Sequence, residues 1–133
     1  MKTPLLSWIR PTWKAGLLGC LAILSGSLHG TPPAALGVPE LKAFFQQNCV
    51  RCHGLDGSAV SPEGKRLKGF DFTSAKAMAG KTDQELVRTI RKGLFFGLAM
   101  PSFKDQLSEA DALLLVREVL RKSEKGKAID PKQ

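Results

Sequence analysis

The chain has 133 residues, a formal net charge of +8 and a hydrophobic fraction of 43%. This length allows one domain and excludes a TIM barrel or a complete dinucleotide-binding enzyme, which need roughly 250 residues. Residues 1–30 contain three basic side chains and no acidic one, whereas the rest carries 17 basic and 12 acidic residues. The rest is only mildly basic and lacks interleaved aromatic and basic residues, so we expect no nucleic-acid partner.

Residues 1–30 have the layout of a secretory signal peptide. A basic stretch ending at Lys14 precedes the uncharged run Ala15–Leu24, and small or polar residues follow. The run is shorter than the roughly 20 apolar residues that span a bilayer, and Pro32 and Pro33 stop a continuing helix. We therefore predict a periplasmic or otherwise exported protein. The alternative is an uncleaved amphipathic or core helix.

Cys20 lies in the segment Leu17-Leu-Gly-Cys20, which resembles the site at which bacterial lipoproteins are cut and lipidated. Only five apolar residues separate Lys14 from Cys20, and the apolar run continues beyond it. We therefore predict that Cys20 is an ordinary signal-peptide residue, and we expect membrane contact only if Cys20 is lipidated. Removal of the signal peptide leaves Cys49 and Cys52, which excludes a disulfide framework.

The segments after the signal peptide predict a linker, a helix and a long loop. Residues 31–38 are rich in Pro and Gly and are predicted to be the linker. A first helix is expected from Pro39 or Glu40, because Pro suits a first helical turn. Its apolar face carries Leu41, Phe44 and Phe45. Residues 54–80 contain five Gly and few periodic apolar positions, so we predict a long loop that wraps around something.

Two capping boxes mark the starts of two later helices. The first is Thr82-Asp-Gln-Glu85, and its helix is expected to end at Gly93. The second is Ser108-Glu-Ala-Asp111, and its helix is expected to continue to about Lys122. Strand-like alternation is absent from the sequence.

These elements predict an all-α domain of three to five helices over residues 39–123, followed by a basic disordered tail over residues 124–133. Such a small domain has a small core. We therefore expect it to depend for its folding on a cofactor that supplies apolar surface.

One motif, Cys49-Val-Arg-Cys52-His53, carries the chemistry. The pattern C-x-x-C-H is the attachment signature of a c-type haem. Its two thiols, one helical turn apart, match the spacing of the two haem vinyl groups and form thioethers with them. The adjacent His53 is then placed to bind the iron through Nε2. We predict one covalently bound haem c, with Cys49 and Cys52 as its attachment sites and His53 as its proximal ligand.

Two other chemistries use closely spaced cysteines. A zinc site needs a fourth ligand, and the only other histidine in the chain is His29, inside the predicted signal peptide. A thioredoxin-like dithiol needs a βαβ context, which the sequence does not indicate.

The sixth iron ligand is expected from one of two methionines. Met100 ends a Gly-containing apolar loop between two helices and is followed by Pro101, which fixes the backbone beside it. Met78 lies just before the first capping box, and a Met is usually a gap filler in a core. We predict Met100 as the distal ligand. The alternatives to Met100 are Met78 as the distal ligand and an iron with an open sixth position.

The chain resembles the class I monohaem cytochromes c. The matching segments are Cys49–Gly54, the loop with Gly57 and Pro62, Gly97–Phe103, Leu107-Ser108 and the final helix. The resemblance covers about residues 40–122. It implies an all-α, cytochrome c-like bundle around a covalently attached haem, His/Met ligation and one-electron transfer.

The resemblance also implies contacts within the fold. The first and last helices should cross, with Phe44 or Phe45 against Leu113–Leu120, and the Pro62 carbonyl should accept a hydrogen bond from His53 Nδ1. The chain departs from the family in lacking an aromatic residue in the last helix, and it has no Trp or Tyr after residue 30. Haem propionate contacts are therefore expected from basic side chains such as Arg66 or Lys68.

We predict an electron carrier and not an enzyme, either as an exported soluble carrier or as a haem subunit of a respiratory or dehydrogenase complex. Its partners would be redox proteins, and acidic docking faces would fit the basic residues near the motifs. These residues are Lys65, Arg66, Lys68, Arg91, Lys92 and Lys104. Two alternatives remain: the basic residues are solvated faces, or an open iron makes the protein a sensor or an enzyme.

Overall fold

The computed structural model describes residues 35–133 as helices joined by loops. The helices are α1 (Val38–Asn48), α2 (Val50–His53), α3 (Ala75–Ala79), α4 (Asp83–Lys92) and α5 (Glu109–Leu115), which continues directly as a π-helix (Val116–Leu120). Residues 35–133 form no β-strand, and their two isolated bridges pair Val60 with Arg66 and Leu94 with Met100. The predicted signal peptide, with Cys20 and His29, and most of the predicted linker lie outside the described residues.

The helix ends follow local capping chemistry. In the capping box of α4, the Thr82 hydroxyl accepts from the Glu85 amide at 3.2 Å, and the Glu85 carboxylate accepts from the Thr82 amide at 2.8 Å. The box at the start of α5 is also formed, by Ser108 and Asp111. Gly93 ends α4 with a φ of 72°, a backbone angle that favours glycine. The predicted starts of both helices and the predicted end of α4 are therefore confirmed.

The core lies where α1 and α4 pack against the last helix. α1 contacts both α5 and the π-helix, so the first and last helices meet as expected. Phe45 is fully buried in this core, whereas Phe44 lies at its edge, where its ring meets that of Phe103 edge-on at 5.3 Å. The largest buried core side chains of the first and last helices are Leu41, Phe45, Leu115 and Val116. No helix within residues 35–133 is long and apolar enough to cross a membrane.

The C-terminal segment 124–133 differs from the predicted disordered tail. It runs back over α1: the Ile129 amide donates to the Leu55 carbonyl at 2.9 Å, and Gln46 Nε2 donates to the Ile129 carbonyl at 3.1 Å. The Ile129 side chain is 7% exposed and belongs to the core. One large apolar residue in a polar segment shows no periodicity, so the sequence pattern did not reveal this contact.

Candidate functional site

The C-x-x-C-H motif forms a single helical turn at the end of α1. The Cys49 carbonyl accepts hydrogen bonds from the amides of Cys52, at 3.1 Å, and of His53, at 2.9 Å. This turn places both thiols and the imidazole on one short element, α2. The loop after Gly54 then folds back, because the Ala59 amide donates to the His53 carbonyl at 2.7 Å.

His53 is held by a hydrogen bond and a stacked ring. Its Nδ1 lies 3.0 Å from the Phe70 carbonyl oxygen, and its ring stacks on Phe72 with centroids 4.7 Å apart. A carbonyl only accepts, so Nδ1 carries the proton and Nε2 has a free lone pair. The acceptor expected from the resemblance, the Pro62 carbonyl, is therefore wrong. Phe70 lies in the part of the loop that folds back onto the motif.

The environment of His53 keeps its imidazole neutral. Burial lowers the pKa of His53 below 6.5, and the hydrogen bond to Phe70 opposes this shift only partly. A metal binds the neutral form of imidazole, so this shift favours ligation at neutral pH.

The two cysteines are free thiols in the protein chain. Burial raises the pKa of the Cys49 thiol to about 12, and repulsion from Cys52 adds to the effect. A redox-active dithiol needs a lowered thiol pKa, so the dithiol alternative is disfavoured. The zinc alternative is also disfavoured. Within residues 35–133, no group of three or more His, Cys, Asp or Glu side chains has an arrangement that could hold a metal ion.

Gly69 closes the loop directly over the motif. Its amide donates to the Cys52 carbonyl at 2.8 Å. A Cβ atom on Gly69 would lie 2.7 Å from His53 Nδ1, closer than real Cβ atoms come to other atoms. The close approach of the two backbones therefore requires glycine at this position.

A cavity of about 380 Å³ opens beside the motif, within the range of ligand-binding pockets. Cys49, Cys52 and His53 line it together with Met100. Much of the remaining wall is apolar and comes from α4, from the segment between α4 and α5, and from the π-helix, with side chains such as Leu86, Ile90, Leu94, Phe103 and Leu120. The structure thus brings all four predicted site residues to one cavity.

The two methionines have different environments. Met78 is 6% exposed, packs in the hydrophobic core and does not line the cavity. Met100 lies at the base of a narrow loop, where its carbonyl accepts from the Leu94 amide at 2.9 Å. A Cβ on Gly93 would come 2.5 Å from that carbonyl, so the chain packs tightly behind Met100.

Two basic residues lie at the cavity, Lys68 and Lys81. Sequence reasoning named Lys68 but missed Lys81, because Lys81 precedes a capping box and lies far along the chain from the motif. Arg66, the other candidate for propionate contacts, does not line the cavity. Its guanidinium donates instead to the Ser58 carbonyl at 3.1 Å.

The cavity has the chemistry that a covalently attached haem requires. Its apolar walls suit the macrocycle, its two thiols suit thioether formation, and its neutral imidazole suits iron. The Met100 thioether and the ammonium groups of Lys68 and Lys81 also line the cavity, and a thioether is one of the axial ligands that c-type cytochromes use.

Comparison with known proteins identifies the family. The family described as "Cytochrome C oxidase, cbb3-type, subunit III" matches residues 37–117. The chain is 33% identical over 110 residues to cytochrome c6 of Synechocystis sp., which covers 82% of this chain and 86% of that relative. It is 31% identical over 101 residues to cytochrome c55X of Paracoccus denitrificans, which covers 76% of this chain and 89% of that relative.

Among solved structures, the chain is similar to the KustC0563 c-type cytochrome, with a TM-score of 0.49 and 28% identity over 63% of this chain and 96% of that one. The family match and the two relatives confirm the resemblance to the class I monohaem cytochromes c. The chain therefore belongs to the cytochrome c family matched over residues 37–117, and it is a c-type cytochrome that binds haem c covalently and transfers electrons.

Proposed function

We propose that Cys49 and Cys52 hold the haem through two thioethers and that His53 and Met100 are its axial iron ligands. The observation that carries this proposal is the position of all four side chains on one cavity. The hydrogen bond from His53 Nδ1 to the Phe70 carbonyl supports it, because this bond leaves Nε2 available for the iron. The burial of Met78 in the core supports Met100 as the sixth ligand.

The residues of the cavity favour one-electron transfer with little rearrangement. The bound haem supplies the one-electron couple of its iron, and a methionine ligand favours the ferrous state. The Phe70 carbonyl and the Phe72 ring hold the imidazole in one orientation. Ile90, Leu94 and Phe103 line the same cavity as Met100 and give it apolar wall, a setting that suits a thioether.

The experiment that tests this ligand set compares Met100→Ala with Met78→Ala. Met100→Ala should open the sixth position, speed CO binding to the ferrous protein and lower the reduction potential. Met78→Ala should leave CO binding slow while costing about 2 kcal/mol of stability, as loss of a core methionine does. If the wild type already binds CO as fast as Met100→Ala, Met100 is not the ligand, and an open-iron sensor or enzyme is the better description.

We propose that the protein is exported to the periplasm or an equivalent compartment, with residues 1–30 removed. Trp8 and Trp13 are the only Trp residues in the chain, and the chain has no Tyr. The isolated protein should therefore show almost no tryptophan emission after the haem is removed, and its mass should lack residues 1–30. A mass that includes Met1 would contradict export with cleavage, and a lipid adduct on Cys20 would indicate a lipoprotein instead.

We propose that the protein is an electron carrier that meets redox partners with acidic docking faces. Lys68 and Lys81 lie at the cavity and supply positive charge beside it. Electron exchange with an acidic redox protein should slow as salt rises, and Lys68→Glu with Lys81→Glu should slow it at low salt. The control, Lys132→Glu in the C-terminal segment, should have little effect. Equal effects of the two changes would argue against a docking face at the cavity.

A further inference from the structure

The loop that leads to Met100 carries three exposed apolar side chains, Phe95, Phe96 and Leu98, which we call the apolar tip. Phe95 is 74% exposed, Leu98 is 91% exposed and Phe96 is fully exposed. None of the three lines the cavity that holds the haem, although Leu94, Ala99 and Met100 on either side of them do. The tip therefore lies outside the wall of the cavity.

The backbone of the tip is held in a conformation that non-glycine residues rarely adopt. Phe95 and Phe96 have φ angles of 51° and 57°, both in the left-handed region, where the Cβ atom is crowded. The Leu94 carbonyl closes the turn by accepting from the Gly97 amide at 3.1 Å and the Ala99 amide at 3.3 Å. The closed turn presents two adjacent rings to solvent. Backbone strain of this kind is concentrated at functional sites.

Basic side chains lie beside the tip, around a surface cleft of about 350 Å³ that we call the basic cleft. Its charged wall residues are Arg88, Arg91, Lys92, Lys104 and Glu109. Glu109 is the one acidic side chain of this wall, and it pairs with Arg91 at 3.5 Å. Lys92 lies three positions before Phe95, where the tip begins. The chain returns to the cleft after the tip, because the Ser102 hydroxyl donates to the Arg91 carbonyl at 2.6 Å.

We propose that the apolar tip and the basic cleft together form a docking surface for a bilayer of anionic lipids. The three side chains of the tip are largely solvated, so the tip needs an apolar medium that adapts to projecting side chains rather than a flat face. The boundary between headgroups and acyl chains is such a medium, and it takes up Phe and Leu side chains together with neighbouring Lys and Arg. The positive charge of the cleft complements anionic headgroups.

This surface provides membrane contact without lipidation of Cys20. It also places the Met100 side of the haem cavity next to the bilayer, because the tip and Met100 belong to the same loop. A carrier held in this way would search for membrane-bound redox proteins along a surface rather than through the whole compartment.

The test is co-sedimentation of the full holoprotein, followed by its haem absorbance, with vesicles of phosphatidylglycerol mixed with phosphatidylcholine. A Cys20→Ser background removes any attached lipid, and the N-terminal segment is the same in every variant whether or not it is cleaved, so differences in binding report the loop. The wild type should bind these vesicles more tightly than vesicles of phosphatidylcholine alone. Phe95→Ser with Phe96→Ser should weaken binding by about tenfold or more, as loss of two buried rings predicts.

Two matched controls separate the tip and the cleft from general effects. Leu55→Ser removes an exposed apolar side chain outside the loop and should leave binding unchanged. Arg88→Glu with Lys92→Glu should abolish the preference for anionic vesicles, whereas Lys125→Glu with Lys132→Glu, a pair with the same charge change in the C-terminal segment, should largely keep it. A visible haem spectrum and a circular dichroism spectrum like those of the wild type show that each variant still folds.

The proposal is overturned if the wild type does not bind anionic vesicles, or if the Phe95→Ser, Phe96→Ser double variant binds them like the wild type. A third outcome also overturns the proposal: the wild type does not bind vesicles, and the Phe95→Ser, Phe96→Ser double variant exchanges electrons with an acidic redox protein more slowly than the wild type. The tip is then a contact for a protein partner. These outcomes do not depend on the identity of the iron ligands, so they leave the proposed function unaffected.

Discussion

Gly69 lies where the haem-attachment motif leaves no room for a side chain. Gly69→Ala would place a Cβ atom 2.7 Å from His53 Nδ1 and crowd the Cys52 carbonyl, to which the Gly69 amide donates. We expect the loop to shift and the hydrogen bond between His53 and the Phe70 carbonyl to be lost. The ratio of haem absorbance to protein should fall, and ferrous CO binding or the reduction potential should report a looser proximal ligand.

Gly80→Ala is the control for this prediction. Gly80 has a φ of −81°, and its nearest neighbour to an added Cβ is the Ala77 carbonyl at 3.8 Å, an ordinary contact. Gly80→Ala should therefore retain normal haem content. If Gly69→Ala also does so, the loop is more adaptable than the close approach indicates.

Asp111 links two elements through its ionised carboxylate. It accepts from the Ser108 hydroxyl at 2.5 Å and from the Leu36 amide, just before α1, at 2.8 Å. The pKa of Asp111 lies below its ordinary value of 3.8, chiefly because the Ser108 hydroxyl donates to the charged form. This carboxylate therefore stabilises the folded state fully at pH values above 3.8. The stabilisation is lost as the pH falls through the lower pKa that Asp111 has in the folded state.

Asp111→Asn should therefore lower the free energy of unfolding at neutral pH by about 1 kcal/mol, the usual effect of weakening a helix cap. It should also make that free energy decline less than the wild type's on acidification below pH 3.8. Asp105→Asn, at an exposed position, is the control and shares any acid-induced change at the haem. Identical pH profiles for Asp111→Asn and the wild type would show that this carboxylate does not contribute.

At the scale of elements, the C-terminal segment links α1 to the loop after the haem motif through hydrogen bonds. The Ile129 amide and carbonyl bond to Leu55 and Gln46 respectively, and the Gly126 amide donates to the Asp56 carboxylate at 2.7 Å. The Ile129 side chain completes the core at this place.

Ile129→Ala should lower the free energy of unfolding by about 2 kcal/mol, since it removes buried methyl groups and leaves a cavity. Denaturant titration followed by circular dichroism measures the change. Ala128→Ser, at the exposed neighbouring position, should change little. If the two variants are equally stable, the segment does not hold the fold together.

At the scale of the whole molecule, the fold is organised around the haem cavity. Residues from the motif, the long loop, α4, the Met100 loop and the last helix all line this cavity of about 380 Å³. Without the cofactor these elements lose much of the apolar surface that they share, and a domain of this size has little other core to compensate.

Cys49→Ala with Cys52→Ala should therefore yield a protein that loses its haem in acidified acetone and unfolds in a broad transition. Absorbance of the extracted protein and the steepness of the thermal transition measure the two effects. The wild type should keep its colour after the same extraction and unfold sharply. Haem that stays with the double variant would show that attachment does not use this motif.

The sequence by itself determined the features that depend on neighbouring residues. The C-x-x-C-H motif, which predicted the haem, occupies one helical turn, and both capping boxes act within four residues of chain. α4 ends at Gly93, whose φ of 72° is a backbone angle that glycine adopts readily and that does not continue a helix. Such signals are local, so reading along the chain was sufficient to predict the all-α fold and the cofactor.

Only the tertiary structure decided the contacts between distant segments. It replaced the Pro62 carbonyl with that of Phe70 as the partner of His53, brought Lys81 to the cavity and placed Ile129 in the core. It also separated Met78, a core side chain, from Met100, which lines the cavity. These outcomes depend on how the loops fold back over the helices. The position of a loop is determined by the surfaces that it packs against, so motif spacing and hydrophobic periodicity do not predict it.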